Sequence, residues 1–193
     1  MENDRSDDIR TAALTRFWKH GYRGSSVRDL LDATGSNRAA LYGRHNGKDG
    51  LFEACLDLYE ETVVDPAFAH VERDGANLQT VRAYFQHQIA RAEETGFPTA
   101  GCLIANAMTE LAPHDDAIRA RVRKHLERLQ AGFANALRGE APDASNDRIQ
   151  TLSELLAVNA QGLWSHSRVA KDATEMRRLV AALLGLVERD LAS

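Results

Sequence analysis

Between its few breaks, the chain repeats apolar residues at the period of an α-helix, and this restricts the fold more than any other feature. Ile9, Ala13, Leu14 and Phe17 recur at i, i+4, i+5 and i+8, and the pattern halts at Gly21. Ser26, followed three residues later by Asp29, makes a capping-box-like start for a short helix through Ala33, which Gly35 ends. Asn37 is a good N-cap for a third short helix, Arg38 to Gly43. A longer helix is expected from about Lys48 to Phe68, and beyond it helices over Asn77–Glu94, Gly101–Leu111, Asp115–Leu137, Asn146–Val169 and Asp172–Leu191. Only four prolines interrupt 193 residues, and no segment alternates as a strand over more than four residues. The expectation is an all-α protein of about nine helices, with a small unit over residues 1–50 and a larger one over 51–193.

A chain of this length buries enough apolar surface to fold without staples. Its longest run free of charged residues, Thr95 to Thr109, holds a proline and two glycines and falls short of the roughly 20 apolar residues a membrane span needs. The opening MENDRSDDIR is acidic and does not read as a signal peptide, so a soluble cytoplasmic protein is expected. Two cysteines, Cys55 and Cys102, exclude a disulfide scaffold and a four-cysteine zinc site. The net charge of −4 is unevenly spread. Ile9 to Lys48 carries eight basic residues against two acids, whereas from Leu51 onward 15 basic residues face 21 acids. A basic end on an acidic body suggests that this end meets a polyanion.

The last two helices are apolar over an unusual width. Leu179, Val180, Leu183, Leu184, Leu186, Val187 and Leu191 cover more of the last helix than the ~100° of an ordinary core stripe. On the helix before it, Leu152, Leu155, Leu156 and Leu163 form one face. This predicts a homodimer in which both helices meet their symmetry mates in a four-helix bundle, with Leu152, Leu155, Leu156, Leu163, Leu179, Val180, Leu183, Leu184 and Val187 at the interface. A central helix wrapped within one subunit is the alternative.

A helix ending at Gly21-Tyr22, a capped short helix, a Gly35-Ser36 turn and a second short helix have helix-turn-helix proportions. Ala12, Leu14, Phe17, Gly21-Tyr22, Ser25 through Leu30, Ala33 through Tyr42 and Lys48 through Phe52 resemble, at their spacing, the TetR family of transcriptional repressors. The resemblance implies a three-helix DNA-binding domain, a larger ligand-binding and dimerisation domain, and binding of an inverted-repeat operator relieved by a small-molecule effector. His45 departs from the family's usual aromatic residue, leaving a neutral packed ring or a phosphate contact as readings.

The chemistry of DNA recognition then assigns roles. The start of the helix at Val27, with the Ser25 and Ser26 hydroxyls, suits a phosphate, and Arg28 can reach a phosphate or a base edge. Asn37, Arg38, Ala39 and Ala40 begin the helix expected in the major groove, where Arg38 suits guanine. Tyr42, Gly43, Arg44 and Lys48 complete the set, with Tyr42, Arg44 and Lys48 given backbone roles by the resemblance. Helix faces place Phe85, Gln88, Ile89, Phe97, Cys102, Asn106, Met108, Phe133 and Trp164 around an effector, though an apolar core explains most of them equally. Cys102, at a helix start, opens the alternative of a thiol-based redox or electrophile sensor. A helical small-molecule carrier without DNA binding would leave the basic end unexplained. The seven histidines lack zinc-helix spacing, and no phosphate-binding loop or nucleophile elbow occurs, so neither an enzyme nor a cofactor or metal is expected.

Overall fold

The computed structural model describes residues 2–192, with side chains from Ile9 onward. It contains α1 (Glu2–His20), α2 (Val27–Thr34), α3 (Arg38–His45), α4 (Gly47–Tyr59), α5 (Asp65–Glu72), α6 (Leu78–Thr95), α7 (Leu103–Glu110), α8 (Asp116–Glu140), α9 (Asn146–His166) and α10 (Ala173–Leu191). A π-helical turn, Glu60–Val64, follows α4, so a change of register interrupts the long helix expected from about Lys48 to Phe68. Among the described residues no strand forms, and the all-α expectation holds.

The described residues divide into two compact units. The first runs to Asp65 and takes in Cys102–Arg119; the second holds Pro66–Gly101 and the residues from Ala120 onward. The first is therefore larger than the segment 1–50, because it keeps α4 and gains α7. Its core joins Phe17 of α1, Leu30 of α2, Leu41 of α3, Leu51 and Phe52 of α4, and Leu103 and Ile104 of α7. Phe52 meets Phe17 edge-on at 5.0 Å and Tyr22 at 5.1 Å. Edge-on ring contacts of this kind add to the burial that joins α1, the loop after it and α4.

In the second unit Phe68, Tyr84, Phe85 and Phe133 form a single aromatic cluster. Gly132 admits it: a Cβ there would lie 2.5 Å from the Phe68 ring. Helix α10 packs along α6, joined by ion pairs from Arg82 to Glu188 and from Arg177 to Glu93.

The same unit buries an imidazole. His125 of α8 is 6% exposed and lies 3.3 Å from the amide nitrogen of Gln161 on α9. Burial, assisted by Arg128 and Arg121, pushes its pKa from the ordinary 6.5 down to about 4. The folded protein thus holds it neutral while the unfolded chain takes up a proton below 6.5. Its stability contribution is whole above pH 6.5 and is lost as pH falls toward 4, by roughly 3 kcal/mol across that window. Urea unfolding from pH 7 to 4 should show this slope, and His125→Gln, which keeps an acceptor but does not titrate, should flatten it. An equal slope in the variant would assign the loss to other groups.

Candidate nucleic-acid interface

The short helices of the first unit are closed by local bonds. The Ser26 hydroxyl accepts from the Asp29 N–H at 3.2 Å, while Asp29 accepts from the Ser26 N–H and hydroxyl, each at 2.8 Å. These bonds hold the Asp29 carboxyl below its usual pKa. Gly35 ends α2 at φ 59°, a left-handed turn that costs glycine nothing. Asn37 then caps α3 by accepting from the Ala40 N–H at 2.8 Å.

That turn sets α3 with Leu41 inward and Arg38, Ala39, Tyr42, Gly43 and Arg44 outward, with Asn37 exposed beside them. Tyr42 is 50% exposed, rare for an aromatic ring unless it meets a partner. Arg28 projects from α2 with its side chain 92% exposed, 4.0 Å from Asp32. Asn37, Arg38, Ala39, Tyr42, Gly43 and Arg44 thus share one surface, with Ala40 half-buried at its edge. A helix face carrying a guanidinium, two small residues and a phenol suits close approach to base edges with a hydroxyl left for a phosphate.

Three sequence expectations change here. The Ser25 hydroxyl does not face outward: it is fully buried and donates to the Gly21 carbonyl at 2.8 Å, bracing the loop before α2. The Ser26 hydroxyl is taken up by Asp29, and Val27 is half-buried, so α2 presents its backbone N–H groups rather than these side chains. Lys48 lies half-buried with its ammonium 4.0 Å from the Tyr22 ring centre, and the cost of burial lowers its pKa. It is a cation–π partner for that ring. His45 is half-buried, with Nε2 lacking a hydrogen bond, and burial followed by the Arg10 and Arg44 charges lowers its pKa, which favours the neutral packed reading.

The residues expected to surround an effector fall in both units. Cys102, Asn106 and Met108 belong to the first unit; Phe85, Gln88, Ile89, Phe97, Phe133 and Trp164 belong to the second. Phe85 and Phe133 stack at 6.3 Å and, like Ile89, are buried in the apolar core of the second unit. Gln88 and Phe97 are half-buried. Trp164 carries a buried indole N–H without an acceptor. Cys102 is buried at the start of α7, and that burial raises its thiol pKa despite the helix N-terminus. Cys55 is likewise pushed up to about 12. A buried neutral thiol is a poor nucleophile, and this burial argues against the redox alternative.

The interface residues change too. Leu152, Leu156, Leu163, Val180, Leu183, Leu184 and Val187 are buried within their own subunit. The outward apolar surface consists of Leu155 at 44% exposure, Val158 at 67% and Leu186 at 57%, with Leu179 half-buried. Leu155, Val158 and Gly162 follow a three-then-four spacing along α9. Glu110 and Asp49, which anchor the loop before α2, gave no local signal at all.

Known proteins share this arrangement. Residues 9–55 match the family model for bacterial regulatory proteins of the tetR family. Residues 77–183 match the model for the tetracyclin repressor-like C-terminal domain. The HTH-type transcriptional repressor ComR of Escherichia coli (strain K12) is 27% identical over 179 residues, covering 90% of this chain and 84% of ComR. A TetR family regulator from Agrobacterium tumefaciens superposes with a TM-score of 0.79 at 20% identity, covering 98% of each chain. A cysteine mutant of the TetR family regulator CifR, solved with a 26-base-pair operator DNA, superposes with a TM-score of 0.77 at 23% identity, covering 97% of this chain and 95% of that one. The fold and the outward α3 define a helix-turn-helix regulator, and the chain belongs to the TetR family of bacterial transcriptional regulators.

Proposed function

We propose that the protein is a repressor that binds an inverted-repeat operator as a homodimer and is released from it by a small molecule. The outward face of α3, with Arg38 and the half-exposed Tyr42, carries the reading. Support comes also from the naming of ComR as a repressor and from the operator complex of CifR. The first unit reads DNA through α2 and α3. The second contributes the dimer contact through the outward face of α9 and α10, and the inverted repeat follows from the two-fold axis of such a dimer. The effector meets the helices that follow α4, where the unsatisfied Trp164 indole N–H offers a hydrogen bond to an acceptor.

Selection of bound fragments from a random DNA library by the purified protein at near-physiological salt tests this directly. An inverted repeat should be enriched, with affinity falling as salt rises. A folded protein that enriches no sequence would overturn the operator reading.

A further inference from the structure

The loop between α1 and α2 is held by a carboxylate from far along the chain. Glu110, the last residue of α7, accepts from the Tyr22 N–H at 3.0 Å through Oε2 and from the Arg23 N–H at 2.6 Å through Oε1. Both oxygens are engaged, on successive amides, in the two-pronged geometry that makes charge-assisted bonds strong and directional. Gly21 makes the approach possible. It stands at φ 75°, and a Cβ there would come 2.8 Å from the Glu110 Oε2. The Tyr22 ring is gripped as well: its hydroxyl donates to Asp49, Lys48 covers its face, and it stacks on Phe17. Two further bonds carry this anchoring to α2. Arg16 donates to the Gly24 carbonyl at 2.9 Å, and the Ser25 hydroxyl donates to the Gly21 carbonyl. The next residue is Ser26, the cap of α2.

We infer that Glu110 is a positioning residue for DNA recognition, the carboxylate by which α7 holds the α1–α2 loop and so sets the N-terminal end of α2 against the operator backbone. Glu110 itself touches no DNA in this account. The N–H groups at the start of α2 serve a phosphate only where the loop places them, and a phosphate contact fixes register on the duplex. The Arg23 amide lies at an exposed position and the Tyr22 amide is only part-buried, so water can take over from the carboxylate. Removal therefore releases the loop rather than the fold.

The inference rests on the operator-binding reading above. The test measures Glu110→Gln and Glu110→Ala in the full-length protein on the selected operator and on unrelated duplex DNA, with 1H–15N spectra of the Tyr22 and Arg23 amides. Gln keeps one acceptor and turns an N–H donor toward the second amide; Ala keeps neither. Operator affinity should fall in the order Glu, Gln, Ala, reaching about tenfold for Ala, the scale of one lost base contact. Affinity for unrelated DNA should stay within about twofold, because its electrostatic term is unchanged, and both amide resonances should move upfield. A purely structural role would lower the melting temperature and leave the affinity of the folded variants unchanged, which overturns the inference. Amides that do not move would also overturn it, because the bonds would not exist in solution. Wild-type protein that binds no operator overturns the underlying reading instead, and is seen before any variant is made.

Discussion

If the proposed dimer forms through the outward face of α9, Val158→Asp should leave the protein folded but monomeric and abolish high-affinity operator binding. Val158 is 67% exposed on α9, between Leu155 and the open surface of Gly162, where no atom lies within 4 Å of an added Cβ. A carboxylate there stays hydrated in the monomer, so folding loses little. In a two-fold interface each copy meets its own mate, and the substitution places two uncompensated carboxylates in a desolvated seam. Once monomeric, each reading head binds a half-site alone and loses the linkage that multiplies affinity by about 10²–10⁴. Sedimentation should show the halved mass, and fluorescence anisotropy on a labelled operator the loss. Leu183→Asp makes the contrast. At 8% exposure Leu183 belongs to the core of its own subunit, so this variant should lose helicity rather than dimerisation alone. A Val158→Asp protein that is folded and still dimeric would place the interface elsewhere.

Arg38→Ala should weaken operator binding by about 1–3 kcal/mol and relax preference at one base pair in each half-site. Arg38 is exposed at the first turn of α3, behind the Asn37 cap, with Ala39 and Ala40 beside it. Short neighbours let the helix backbone approach the bases, and a guanidinium forks onto guanine where a point charge would not. Repeating the library selection with the variant is the decisive measurement. A loss of preference at one position identifies a base contact. An equal drop in affinity for unrelated DNA would instead make Arg38 a phosphate contact.

The helix-turn-helix was legible because its determinants are local. The Ser26–Asp29 box, the left-handed Gly35 and the Asn37 cap each satisfy helix-end N–H groups within three residues, or turn the chain at one residue. Leu30 and Leu41 are the side chains these short helices turn inward. Which residues of α3 point outward was legible for the same reason, since a short helix with one apolar side has only one face left to present. Ser25 was misjudged because a serine beside a cap resembles a cap, and its burial depends on how the loop folds back to the Gly21 carbonyl.

Periodicity states which residues of a helix are apolar, not how many neighbours cover them. On α9 and α10 nearly every position of the wide apolar surface is one that a partner helix could cover. The aromatic cluster of Phe68, Tyr84, Phe85 and Phe133 likewise draws on three helices far apart along the chain, and only the tertiary structure shows that these rings pack together.

By itself, the sequence determined the helices, their caps, the turn between α2 and α3 and the sign of the charge beside it, because each depends on residues within one or two turns. Tertiary structure alone decided which leucines of α9 and α10 are spent inside the subunit, that Cys102 is sealed from solvent, and that Glu110 reaches Tyr22 and Arg23 across more than eighty residues. Burial and long-range hydrogen bonds depend on what other elements bring to the same place, and no local window contains that information.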